Sequence, residues 1–506
     1  MRTETINPTQ VGMTCAGYVE DGFRLQTMVA ADERATKGVY TLRYLFFNDD
    51  ERQGREVYTE LSPDNPTFTS ATPLVPAANW YEREAYDLLG LVPVGHPDPR
   101  PLILHGDRLA EVYPLRKDFP VDGVLPAVER TMTELHLPEG MFEVPVGPIH
   151  AGVIEPGHFR FQMRGETVHA LSTTLFYTHR GLEKRAENMS LSDGLALVEQ
   201  TCGVCSLSHA LSYAQAVESL AQVAVPEQAR YIRVVWAEME RLYNHIGDVG
   251  NICAGIGFSF GTMQAGRLKE YLQRLQARLT GHRYLRGVLK VGGVQQSLTA
   301  DQSHQLMHGV QAIMAEFAEV ADAILSHETA CDRFRMTGVL SESAVRSWGA
   351  VGPTARASGV ARDARLQQAH AAYADLFPDT IPTFVQGDVM ARLLQRIEET
   401  QISAKLIAQA ISHLTTIRET SATTDLYTPL PSVEPYATGI GVSESPRGEN
   451  VHFVMAGAHG QIERLRIRSA SYANWPAVPE AVPGNLIADF PLINKSFELC
   501  YACCDR

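Results

Sequence analysis

The sequence predicts an α+β protein: a small N-terminal α/β domain, then a mainly α-helical domain edged by β-hairpins. Three observations lead there. At 506 residues the chain exceeds one ordinary core, so more than one domain is expected. Its 45% hydrophobic and 20% charged content is that of a folded globular protein. The hydrophobic period changes from strand-like alternation near the N-terminus to three- and four-residue steps after about residue 190.

Within residues 1–120, Val39–Phe47 is aromatic, β-branched and alternating, which predicts a strand, and Asn48–Asp50 a turn. Ala77–Gly90 predicts a helix with Asn79 as N-cap and Gly90 as its stop. Gly95–Pro101 holds too much proline for regular structure. A proline- and charge-bearing stretch, 121–146, predicts a connection to the second domain, 147–506. That domain opens with a hairpin over Gly157–His169. Its clearest helix lies within Pro226–Ile252, where Ile232, Val235, Trp236, Met239, Leu242, Tyr243 and Ile246 recur on one face. Further helices are expected near 265–286, 300–330 and 388–419, and a terminal hairpin over Val451–Met455 and Glu463–Arg468.

A formal net charge of −14 gives no electrostatic support for nucleic-acid binding. No stretch approaches the roughly 18 apolar residues of a membrane-spanning helix, and the N-terminus lacks a secretory signal. The chain is therefore expected to be cytoplasmic.

Eight cysteines in so long a chain are no disulfide framework. Four form two CxxC pairs, Cys202/Cys205 and Cys500/Cys503. The first precedes an apolar segment, Leu207–Leu220, and so marks a helix N-terminus, whose partial positive charge favours thiolates. The pairs lie much further apart than the ~15–20 residues of a local zinc ribbon, but they can still meet in space. On spacing alone, four thiolates fit structural zinc, an iron–sulfur centre or a catalytic soft metal. The isolated Cys15, Cys253 and Cys331 read as small buried hydrophobes, with Cys504 set apart only by adjoining Cys503.

The surroundings narrow this. In order occur Glu155–His158, His179–Lys184, Cys202–His209, Glu240–His245, Ser445–Gly448 and Cys500–Arg506. Together, from about Gly147 to Arg506, they resemble the large subunit of a nickel–iron hydrogenase, and most closely its energy-converting, formate-hydrogenlyase-type branch, a relative of the 49 kDa subunit of respiratory complex I. Glu82–Arg100 is similar to the signature of the 30 kDa subunit of complex I. The complex I relative generally lacks the four cysteines, so their presence favours hydrogenase.

The resemblance implies reversible H2 oxidation and proton reduction at a Ni–Fe centre whose iron carries CO and cyanide. Cys202 and Cys500 would be terminal nickel ligands, and Cys205 and Cys503 would bridge nickel and iron. Cys500 would double as first proton acceptor. Glu155 would be a buried carboxyl passing that proton on, and Arg447 would point its guanidinium at the diatomic ligands. Glu183, which helps bind a divalent cation in other branches, would here pair with Arg506, a permanent cation. His209, His245 and His158 are expected behind the ligands rather than among them. Two departures from the family pattern stand at the edge of the site: Gln200 replaces an arginine, and Glu498–Leu499 replaces Asp-Pro.

No further cluster motif occurs, so no iron–sulfur cluster is expected in this chain. Electrons would pass to a small subunit carrying one, with further iron–sulfur and membrane subunits holding the assembly on the inner face of the cell membrane. Hydrogenase precursors often carry a C-terminal extension clipped after metal insertion, and this chain stops at the residue where such a cut would fall. Two other readings stay open: a complex-I-like quinone-site subunit without nickel, and a scaffold with structural zinc.

Overall fold

The computed structural model describes all residues except 107–111, 127–136, 151, 153, 379 and 421–424. The N-terminal region is a four-stranded sheet in the order β1-β4-β3-β2, built from β1 (Arg2–Thr5), β2 (Arg24–Glu33), β3 (Val39–Asn48) and β4 (Gln53–Leu61). The β1–β4 pair is parallel and the rest antiparallel. Helices α1 (Val11–Glu20) and α2 (Asn79–Leu89) belong to this region, as does the short parallel pair β5 (Thr67–Thr69) and β6 (Val92–Val94). Gly90 ends α2 in the left-handed region, φ 77°, as its place after the last apolar residue predicts. Asn79 is the first residue of α2 rather than its N-cap. A 3-10 turn over Pro76–Ala78 leads in, and the fixed φ of Pro76 starts helical geometry earlier.

Strand β7 (Phe142–Val146), the end of the predicted connection, pairs with a hairpin of β8 (His158–Arg164) and β9 (Thr167–Thr174). Residues 127–136 of that connection lie outside the described residues. A short helix, α3 (Leu182–Arg185), precedes the helical body: α4 (Ser206–Leu220), α5 (Glu227–Ala254), α6 (Ser259–Thr280), α7 (Ala300–Leu325) and α8 (Val389–Thr420). A small ladder of β10 (Leu289–Lys290) and β11 (Gly293–Val294) lies between α6 and α7. Helix α6 starts and stops six residues earlier than the periodicity suggests, because Gly281 adopts φ 86° and ends it. Thr299 and Gln302 form a capping box on α7. The expected terminal hairpin is a three-stranded sheet, β12 (Thr438–Ser445), β13 (Gly448–Ala456) and β14 (Ile462–Arg468). Helices α9 (Phe490–Phe497) and α10 (Tyr501–Asp505) close the chain.

Every residue of β2 is buried, since its sheet is covered twice. On one side Val11, Tyr44, Leu88 and Leu89 join a core with Phe159, Tyr472, Trp475 and Phe497. On the other, Val29 and Leu45 meet Phe453 and Met455. The N-terminal sheet and the C-terminal segment thus share cores. Arg24 adds a buried link, donating to Glu449 of β13 at 2.6 Å and to Asp49 at 2.9 Å.

At the end of that shared core lies a buried ion cluster. Arg506 donates to Glu183 of α3 at 2.9 Å and to Glu84 of α2 at 2.9 Å. Arg464 donates to Glu183 at 2.8 Å, and Arg466 contacts both carboxylates. Burial opposes ionisation of Glu84 and Glu183, but the arginines outweigh it and hold both below the ordinary carboxylate range. A folded-state pKa below the unfolded ~4.3 stabilises at pH above that value and ceases to do so as pH falls through the folded value. Glu84→Gln should therefore flatten the acid limb of a stability-versus-pH curve. Arg466→Ala leaves two buried carboxylates short of a partner and should cost about 3–5 kcal/mol, read as a fall in Tm at neutral pH.

Candidate metal centre

Cys202 and Cys205 stand on a loop that runs into α4, with Cys205 at the N-cap position, as the apolar segment after the pair predicts. This loop is held by one face of α5, where Glu240, Asn244 and Asp248 recur at four-residue steps. The Glu240 carboxylate accepts the backbone N–H groups of Leu207 (2.8 Å) and Ser208 (3.0 Å), satisfying free donors at the start of α4. Burial pushes its pKa up to about 7. Asn244 donates to the carbonyl of Val204 at 2.7 Å, and the Tyr243 hydroxyl donates to the same oxygen at 3.1 Å.

The second pair arrives from α10. The Cys500 N–H donates to Ser471 Oγ at 3.0 Å, and Ser469 Oγ donates to the Cys503 carbonyl at 3.0 Å. The Asp505 carboxylate accepts the N–H groups of Phe176 (3.0 Å) and Thr178 (2.9 Å). Arg180 ties the two segments together, donating to the carbonyls of Gln200 (2.8 Å), Thr201 (2.6 Å) and Ala502 (3.1 Å).

The sulfurs converge. Cys202 Sγ lies 3.0 Å from Cys205 Sγ, and Cys205 Sγ lies 3.2 Å from Cys503 Sγ. These separations exceed the ~2.05 Å of a disulfide. Cys500, half-buried, packs on this cluster with its thiol against those of Cys202 and Cys503. In such a group one thiol ionises readily while its neighbours resist. Hydrogen bonds from Cys202 and Cys503 lower the Cys205 thiol to about 6, while the Cys202 contact raises Cys500 to about 12. Three buried thiols, with the half-buried Cys500 packed against them and no carboxylate among the clustered donor atoms of the described residues, fit a thiophilic metal.

His209, one turn into α4, presents Nε2 to Cys503 Sγ at 3.5 Å, so the donor atoms of Cys202, Cys205, Cys503 and His209 all lie within 4.8 Å of one another. Its Nδ1 faces His452 Nε2 of β13 at 3.0 Å. Burial lowers His209 to about 4. Arg447 is fully enclosed. Its Nη1 donates to Asn244 Oδ1 at 2.8 Å, its Nε to the Glu498 carbonyl at 2.7 Å, and its Nη2 lies 3.4 Å from Asp248. Burial works against its charge, but Asp248 and the thiols raise its pKa regardless. Glu498 adopts φ 54° at the end of α9 and accepts from Asn251; burial, then Asp248, pushes it up to about 7. His245 sits between Glu399 (3.0 Å) and Asp248 (3.7 Å). His158 is buried on β8.

Glu155 departs from expectation. It is exposed rather than buried, on a loop closed by Gly157 N–H donating to the Pro148 carbonyl at 2.9 Å. Ile149 and Ile154 beside it are exposed as well. Sequence reasoning missed Arg180, Glu240 as a cap, Asp248, Ser469, Ser471 and His452. Glu240 and Asp248 share with Asn244 one helical phase of α5, the only signal they offer among its many polar residues; the others carry no local signal.

The fold and the donor set define a class, an α+β chain that brings two distant CxxC pairs to one thiophilic metal site. Comparison with known proteins makes it specific. The chain matches the model of the respiratory-chain NADH dehydrogenase 30 Kd subunit over residues 6–124, that of the nickel-dependent hydrogenases over 180–248, and that of the respiratory-chain NADH dehydrogenase 49 Kd subunit over 256–506. It is 35% identical to hydrogenase-4 component G of Escherichia coli K12 over 496 residues, covering 97% of this chain and 85% of that one. It is also 35% identical to formate hydrogenlyase subunit 5 of the same organism over 499 residues, covering 97% and 86%. A subunit of the membrane-bound sulfane sulfur reductase, an archaeal respiratory membrane complex, shares the fold at a TM-score of 0.67 and 24% identity, over 74% of this chain and 100% of that one. The chain belongs to the group 4, energy-converting family of nickel–iron hydrogenase large subunits, in which complex-I 30 kDa-like and 49 kDa-like parts are fused. Among the described residues no helix is long and apolar enough to cross a membrane.

Removing the Glu240 carboxylate strands two buried N–H groups, each worth about 1–3 kcal/mol. Glu240→Ala should therefore lower Tm and loosen the Cys202 loop, read as faster alkylation of Cys202 and Cys205 in metal-free protein.

Proposed function

We propose that this chain is the catalytic subunit for reversible H2 oxidation and proton reduction, at a Ni–Fe centre held by Cys202, Cys205, Cys500 and Cys503. The observation that carries the reading is the convergence of two CxxC pairs nearly the length of the domain apart: Cys202, Cys205 and Cys503 cluster buried, and Cys500 packs against them at the half-buried edge. Cys202 and Cys500 are assigned as terminal nickel ligands, Cys205 and Cys503 as bridges to an iron carrying CO and cyanide. The bound metals would supply two-electron redox chemistry toward H2.

The protein's own groups do the rest. Cys500, on the half-buried edge of the cage, is the first proton acceptor. Glu155 is the next carrier, on an exposed loop from which a proton can leave. Arg447, its orientation fixed by Asn244 and the Glu498 carbonyl, places a permanent cation and a fork of donors beside the cage. The Arg506 guanidinium takes the place of a divalent cation at Glu183. The exposed Val121, Val124, Phe142, Ile149 and Ile154 offer apolar surface for a small subunit with an iron–sulfur cluster. Membrane subunits would hold the assembly peripherally.

One observation favours a second reading: Cys202, Cys205, Cys503 and His209 make a Cys3His set, which suits structural zinc. Metal analysis of the complex separates the readings. Stoichiometric nickel with CO and cyanide infrared bands is the expected result. Zinc without those bands would establish the scaffold, and no metal a quinone-type subunit. Cys503→Ser should abolish nickel loading. Glu155→Gln should keep nickel and the bands but lose most H2/D2O exchange.

A further inference from the structure

His209 and His452 are both fully buried, and their rings meet through one hydrogen bond, Nδ1 to Nε2 at 3.0 Å. The other nitrogen of His209 faces Cys503 Sγ at 3.5 Å, while the other nitrogen of His452, Nδ1, has no hydrogen-bond partner among the described residues. His452 lies in the middle of the C-terminal sheet, its backbone paired with Gly441 of β12 and Ile467 of β14, and its ring is fully buried.

The proton positions are set by the chemistry of the two ends. A metal-bound Cys503 is a thiolate and can only accept, so His209 Nε2 must carry hydrogen. Two arrangements then remain. In the first, His209 is neutral, its Nδ1 accepts from His452 Nε2–H, and the empty nitrogen at the far end of His452 is a bare acceptor. In the second, His209 is a cation donating to His452 Nε2, which forces the hydrogen of His452 onto Nδ1 as a buried donor with no partner. Both arrangements leave His452 Nδ1 unmet, as an acceptor in the first and a donor in the second. The second alone adds an unpaired buried charge, so the first is favoured.

We propose that His452 is a positioning residue that locks His209 in its Nε2–H tautomer and thereby keeps a hydrogen-bond donor on the sulfur of Cys503. The inference rests on the reading of Cys503 as a metal ligand. A donor on a bridging sulfur withdraws electron density from the metals, so its loss increases back-donation into CO and makes reduction harder.

The test uses the metal-loaded complex. In reduced, diamagnetic protein labelled with 15N-histidine, His209 should show a protonated Nε2 and a bare Nδ1. Substitution of His452→Leu should leave nickel content unchanged, move the CO band to lower wavenumber and make the midpoint potential more negative. His452→Gln, whose amide can present an N–H at similar reach, should return both toward wild type, a rescue that a merely space-filling role would not produce. A wild-type His209 protonated on Nδ1 overturns the proposal, as do CO band and potential unmoved in His452→Leu. If that variant does not fold, the wild-type nitrogen spectrum alone decides. Wild-type complex without nickel or diatomic bands would instead overturn the metal reading, and this inference with it.

Discussion

Glu84 and Glu183 share the guanidinium groups of Arg466 and Arg506, with Arg464 adding a third cation at Glu183, all of them out of water. The position of the C-terminal cysteine pair depends on this cluster. The segment after α9 forms only a five-residue helix, too short to hold itself in place through backbone hydrogen bonds. Arg506 fixes its last residue against α2 and α3, Asp505 binds the Phe176–Thr178 backbone, and Ser469 and Ser471 catch Cys503 and Cys500. Buried charge is a costly way to secure a chain. Here it joins a carboxylate from the N-terminal region to the segment bearing half of the sulfurs.

The two halves of the cage are built differently. The Cys202 loop is held from below by a rigid helix, through Glu240, Tyr243 and Asn244. The Cys500 segment is held by scattered contacts from strands and loops. Arg180 is the common element, since its guanidinium reaches carbonyls of both. Arg447 then takes its orientation from the helix side and from Glu498, next but one to Cys500. The Gln200 side chain, where the family pattern has an arginine, is exposed and contributes only its carbonyl.

Much of this was legible in the sequence where one element carries its own signal. Strand β3, helix α5, the stop at Gly90 and the helix start after Cys205 come from alternation, 3.6-residue periodicity and the conformations open to glycine. The four cysteines stood out by spacing. The features that were not legible depend on pairing between distant segments. Nothing local marks Arg180 as a link, His452 as the partner of His209, or Ser469 and Ser471 as anchors. The exposure of Glu155 was missed for a related reason: burial is a property of the folded whole, and no local pattern around Glu155 encodes it.

The spacing of Glu240, Asn244 and Asp248 on α5 has a consequence for how the protein tolerates changes in length. All three act on the metal-centre region because they share one helical phase. A substitution at one of them removes one contact. A single residue inserted between Glu240 and Asp248 rotates the C-terminal part of the helix by about 100° and breaks the register between the cap on α4 and the support for Arg447. This stretch of helix works as a ruler, and its residue count matters as much as its composition.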